Sequence, residues 1–111
     1  MRMANKTLLV VTNLPDRTAA ETLARALIDR RAAACVNVLA PCLSVYRWKG
    51  AVETAEEHPL FAKTTEDRYS LLERVIRELH PYELPEIIAV PLAGGLAAYL
   101  QWVETETRPA T

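Results

Sequence analysis

The feature that most constrains this chain is a pair of strand-like runs that meet at Lys49-Gly50. Cys35-Val-Asn-Val-Leu39 reads as a central strand, Pro41 interrupts it, and Ser44-Val-Tyr-Arg-Trp48 resumes it up to the turn. Val52 onward returns toward Leu60-Phe-Ala-Lys-Thr64, with Pro59 marking a bulge or an edge position. Laid out as strand, Cys35 to Trp48 covers about 48 Å at roughly 3.4 Å per residue. A domain of 111 residues has a diameter of only about 34 Å. The hairpin therefore overhangs the domain that carries it. Its tip holds Tyr46 and Trp48, aromatic surface that calls for cover by a second subunit. Open strand edges on such an arm also invite pairing, which closed symmetry satisfies. The chain is expected to be a homo-oligomer.

The segments around this hairpin define the fold class. Thr7 to Thr12 is β-rich and apolar, and Asn13-Leu14-Pro15-Asp16 ends it as a loop ends a buried strand. Thr18-Ala-Ala-Glu21 matches a capping box, with Asp16 as an alternative cap. From there Ala20, Leu23, Ala24, Leu27 and Ile28 keep helical spacing, with Arg25, Arg30 and Arg31 largely on the other side. A second helix runs from Asp67 to Leu79, with Tyr69, Leu72, Val75, Ile76 and Leu79 on one face. Pro81 and Pro85 enforce an extended link. Ile87-Ile-Ala-Val90 is a fourth strand, Gly94-Gly95 a loop, and Leu96, Leu100 and Val103 mark a closing helix. The order βαββαβ plus a helix predicts an α+β, ferredoxin-like sandwich in which two crossover helices cover one sheet face and leave the other bare.

Size and charge narrow the partners. Half of the side chains are hydrophobic, enough for one core in one domain. Lys plus Arg number 13 against 14 Asp plus Glu, with no block of like charge, so nucleic acid and anionic membranes are poor partners. No segment approaches the roughly 18 apolar residues of a membrane span. Cys35 and Cys42 lie among apolar or small residues without CxxC spacing, as buried thiols of a reducing compartment do. The cytoplasm is the expected location.

The string Ser44-Val-Tyr46-Arg-Trp48-Lys-Gly50 is preceded by Ala33-Ala-Cys35-Val-Asn37 and followed by Glu57 and Lys63-Thr64. His80-Pro-Tyr82-Glu-Leu-Pro85-Glu86 and Tyr99-Leu-Gln-Trp102 complete the pattern. In order and spacing these motifs closely resemble the CutA family of divalent-cation tolerance proteins, over about Leu8 to Glu104. The resemblance implies one CutA-like domain over residues 1–111, forming a homotrimer similar to nitrogen-regulatory PII proteins, with the long hairpins packed around a threefold axis. It also implies a link to copper and other divalent metals, and so a non-enzymatic protein of the response to metal.

Copper prefers imidazole and thiolate, and the chain offers His58, His80, Cys35 and Cys42. His80 stands between a helix end and a fixed link, with Glu86 expected nearby across the turn; His80, Glu86 and Cys35 are the candidate metal ligands. Plainer readings stand beside them. His80 caps a helix C-terminus, where a partial negative charge favours imidazolium, Cys35 is a small apolar strand residue, and His58 is a surface residue. Some family members carry Cys where this chain has Thr12 and His where it has Leu79, which weakens the case for a soft site here. A second candidate site gathers Tyr46, Trp48, Glu57, Lys63, Tyr82 and Glu86 at clefts between subunits, where small ligands commonly bind. A Lys and carboxylates among aromatics would hold an anionic or zwitterionic metabolite, making the trimer a PII-like sensor. The plainer reading is a Glu57–Lys63 ion pair and aromatic interface anchors. No GxSxG, HExxH, Walker or GxGxxG pattern occurs, so catalysis is not indicated.

Overall fold

A computed structural model describes residues 5–110. The first strand, β1 (Thr7–Leu14), alternates from Leu8 onward: Leu8, Val10, Thr12 and Leu14 are buried, and Leu9, Val11 and Asn13 lie on the opposite side. Asp16 then caps α1 (Arg17–Asp29), its carboxylate accepting the Ala19 N–H at 2.8 Å. Of the two caps the sequence offers, the one nearer β1 is used. The broken strand appears as β2 (Cys35–Val38) and β3 (Cys42–Trp48), both antiparallel to one 15-residue strand, β4 (Ala51–Thr65). A 3-10 turn (Glu66–Arg68) leads into α2 (Tyr69–Leu79), and β5 (Ile88–Pro91) and α3 (Ala97–Glu106) follow. The sheet order β2-β4-β1-β5, all antiparallel, is the expected ferredoxin-like arrangement. Among the described residues no helix is long and apolar enough to cross a membrane.

The core lies between one sheet face and the first two helices. Leu23 and Leu27 of α1, Leu72, Val75 and Ile76 of α2, and Val10, Leu60 and Ala62 of the sheet are at most 1% exposed. Each Val, Leu or Ile among them contributes about 1.5–3 kcal/mol by leaving water. His58 is only half-buried, and its Nδ1, like Thr12 Oγ1, is enclosed without a hydrogen-bond partner among the described residues. It faces Leu14 across the strands and is not the surface residue its position beside Pro59 suggested.

Two further expectations are corrected. Pro59 makes no bulge and sits within β4, between β1 and β2. Its carbonyl accepts the Leu39 N–H, and in an antiparallel ladder a residue's N–H and C=O face the same neighbour. The hydrogen that proline lacks therefore falls at the interruption between β2 and β3, where little ladder is lost. The second sheet face is also not wholly bare. Helix α3 lies against β4 and β1, Thr107 Oγ1 is 3.5 Å from Thr65 Oγ1, and Arg108 binds Asp67 at 2.7 Å. Only the other end of that face, toward Asn13 and Glu57, stays open.

The hairpin overhangs as its length requires. At roughly 3.4 Å per residue β4 reaches about 50 Å, against a molecule measuring 51 × 27 × 23 Å. The turn is a two-residue loop in which Lys49 and Gly50 both have positive φ (49° and 83°), as a type I′ hairpin demands. Leu43, Val45 and Val52 are 73%, 63% and 63% exposed.

Candidate functional site

Where the arm leaves the sheet, it and the link from Pro81 to Ile88 enclose an open cleft of about 930 Å³. The cleft forms because Cys42 pairs with Glu57 and Tyr46 with Glu53, so that Ser44, Tyr46 and Trp48 project on the same side as Glu57. Opposite them, Pro81 and Pro85 hold the link extended, which brings Tyr82 over the sheet. The Tyr82 hydroxyl donates to Glu57 Oε2 at 2.8 Å. Burial, with Glu57 accepting that proton, pushes the Tyr82 hydroxyl far above the usual tyrosine range. Glu57 itself is 8% exposed.

His80 supports this wall from behind. It ends α2 as expected, and its ring, 8% exposed, is fixed at both nitrogens. Nδ1 accepts the Tyr82 N–H at 3.2 Å, and Nε2 lies 2.7 Å from the Asn13 carbonyl. The two bonds require the neutral tautomer with hydrogen on Nε2. Burial lowers the His80 pKa, outweighing the raising effects of the Asn13 carbonyl and Glu57. The imidazolium expected at a helix C-terminus is therefore not the resting form, since a proton on Nδ1 would meet the Tyr82 N–H. The sign follows: a base whose folded pKa is depressed stabilises the fold above its unfolded pKa near 6.5, and that stability is lost as pH falls through and below that value. Thermal melts between about pH 7 and about pH 5 should show the wild-type midpoint falling relative to that of His80→Gln; parallel profiles would refute the buried neutral ring.

The candidate metal ligands are not gathered together. Glu86 and His80 do come close, both contacting Asn13, whose side-chain amide donates to Glu86 Oε1 at 3.4 Å. Cys35 lies at the other end of the sheet, opposite Lys63 in β4. There Lys63 Nζ donates to Asn37 Oδ1 and stands 3.9 Å from Cys35 Sγ, while Tyr99 closes on the thiol from α3. Among the described residues no three His, Cys, Asp or Glu side chains group around a common point, and His80 has no free lone pair to offer. One chain alone does not fit a resident metal.

The second candidate group is assembled except for Lys63. Tyr46, Trp48, Glu57, Tyr82 and Glu86 all line the cleft. Lys63 lies six positions along β4 from Glu57, about 20 Å away at strand spacing. Its partners are Asn37 and Cys35, so the expected Glu57–Lys63 pair is not made. Sequence reasoning missed Asn13 and Glu83. Asn13 reads as a strand breaker, and only the fold shows it bonded to both His80 and Glu86. Glu83 is legible within the Pro81–Pro85 link, and it pairs with Lys49 at 3.8 Å on the cleft's rim.

Comparison with known proteins places this architecture. A family model described as CutA1 divalent ion tolerance protein matches residues 8–106. The divalent-cation tolerance protein CutA of Thermus thermophilus is 40% identical over 99 residues, covering 89% of this chain and 96% of that protein. The crystal structure of CutA from Xylella fastidiosa superposes with a TM-score of 0.89 at 40% identity, covering 92% of this chain and 98% of the other. That of CutA1 from Oryza sativa gives 0.90 at 36% identity, with 95% and 96% covered.

Proposed function

The chain belongs to the CutA1 family of divalent ion tolerance proteins, and on that premise we propose that it acts as a non-enzymatic cytoplasmic homotrimer that binds divalent cations, copper foremost, as cargo in the response to metal. The observation that carries the trimer is the arm, whose Leu43, Val45 and Val52 stand largely in water in a single chain. Apolar surface so concentrated marks an association face. Cys35 is half-buried and Cys42 exposed, not buried as their apolar neighbours suggested, and both thiols are free, which suits a reducing compartment.

The donor set decides how an ion is held. Glu86 is exposed at the cleft, His80 would have to release the Tyr82 N–H to offer Nδ1, and Cys35 acts apart from both. We therefore place the ion between subunits, on Glu86 and His80 of one chain with the coordination completed by another, and bound weakly. Calorimetric titration with copper should give weak, saturable binding of one ion per chain, one at each of the three equivalent interfaces, reduced by Glu86→Gln and unchanged by Cys35→Ser. Absence of saturable binding for copper and for zinc alike would sink this reading. A second reading, a PII-like sensor whose clefts bind a small metabolite, is favoured by one observation, the cleft itself, whose volume falls among those of small-molecule sites.

A further inference from the structure

The cleft encloses a carboxylate that no cation among the described residues offsets. Glu57 is 8% exposed and receives one hydrogen bond, from the neutral Tyr82 hydroxyl. Among the described residues no ion pair involves it. His80 accepts the Tyr82 N–H on Nδ1 and gives its one proton to the Asn13 carbonyl, so it brings no positive charge, and Lys63 is at the far end of β4. Glu86 is met by the neutral amide of Asn13. A carboxylate taken from water without a cationic partner is costly to the fold, so this one is suited to receive a positive charge from outside the chain.

The walls describe what carries that charge. Tyr46, Trp48 and Tyr82 present rings to the cleft, and aromatic faces attract organic cations through their quadrupole. The rim already draws one ammonium: Lys49 Nζ lies 5.6 Å from the Trp48 ring centroid, beside Glu83. Its side chain stays largely in solvent and makes no pair with Glu57. Within one chain a bare divalent ion fits this interior poorly, because among the described residues no three ligating side chains converge and about 930 Å³ far exceeds the room one ion needs.

We infer that the cleft binds a small organic ammonium with an apolar body, its charged nitrogen on Glu57 and its body against Tyr46, Trp48 and Tyr82. The inference rests on the metabolite-sensor reading and names the ligand's class, reversing the anionic or zwitterionic expectation that depended on Lys63.

The test is a titration of the whole protein, with chelator present to remove metals, by three probes of one shape: phenethylammonium, neutral 2-phenylethanol and phenylacetate. Protein-observed NMR should show phenethylammonium saturating with shifts at Tyr46 and Trp48, and binding at least about tenfold more tightly than the alcohol. Glu57→Gln, which keeps an acceptor for Tyr82, should bring its affinity down to the alcohol's. Trp48→Leu should weaken it with Glu57 intact, and decides the matter if Glu57→Gln does not fold. Equal or tighter binding of the alcohol or phenylacetate, or ammonium binding indifferent to both variants, would overturn the assignment of ligand class while leaving a metabolite site in place. Saturation by none of the three would overturn the metabolite reading and this inference with it. Neither outcome bears on metal binding.

Discussion

Replacing Leu27 by Ala is expected to lower the free energy of unfolding by about 2–5 kcal/mol. The side chain is fully buried among α1, α2 and the sheet. The loop behind it is fixed as well, since the Leu27 carbonyl accepts the N–H groups of both Ala32 and Ala33. The site therefore has little freedom to collapse around a cavity, which puts the cost toward the upper part of that range. Leu84, 70% exposed, provides the contrast: Leu84→Ala should stay within about 0.5 kcal/mol. Urea unfolding at matched protein concentration measures both, with the slope unchanged and the midpoint moved for Leu27→Ala alone. Equal midpoints would mean that the α1–sheet interface is not the stabilising core.

The second large effect concerns the arm. The double substitution Leu43→Asp, Val45→Asp is expected to convert a particle of three times the chain mass into a single folded chain, read by light scattering with circular dichroism as the folding control. Both side chains are on β3, beyond the helices, and more than 60% exposed in the single chain. Charges there cost a lone chain little, whereas an interface that buries them without partners loses several kcal/mol per charge. An unchanged mass for the folded variant would remove the arm from the interface. Residues legible as aromatic anchors, Tyr46 and Trp48, belong to the opposite side of the same hairpin and line the cleft. The aliphatic side was missed because an isolated Leu or Val within a strand run carries no sign of which face remains bare.

Element types and order were readable because periodicity reports local burial: β1 alternates, and α2 places Leu72, Val75 and Ile76 on one face. What the sequence did not disclose are consequences of tertiary geometry. The partial cover of the second sheet face by α3 depends on where Thr107 and Arg108 meet Thr65 and Asp67, residues about forty positions apart. The neutral state of His80 depends on its burial and on the Tyr82 N–H that its Nδ1 accepts, with the Nε2 proton directed at an Asn13 carbonyl 67 positions away, whereas helix-end arithmetic alone favours the charged ring. Lys63 and Glu57 lie on one strand and face, yet the distance along β4 separates them within the chain. The Tyr82–Glu57 hydrogen bond within the chain follows from the pairing of Glu57 with Cys42 and the course of the proline-bound link, neither of which periodicity reports.

Strand β4 has one further consequence. A two-stranded ribbon projecting into water has little to hold its alignment, and slippage by one residue inverts its sides. Here the returning strand of the ribbon is continuous with the segment Leu60–Thr65, whose Leu60, Ala62 and Thr64 are locked inward against the helices. Odd and even positions are thereby assigned once, in the interior, and the assignment travels outward along a single backbone. The arm inherits its handedness of display from packing about 20 Å away. One residue inserted between Glu57 and Leu60 would exchange the carboxylate-and-aromatic side for the aliphatic one along the whole projection, while two would restore it. The parity of that short connection is thus a molecular switch in the evolutionary sense: it determines which chemistry the protein turns toward its ligand and which toward its neighbours.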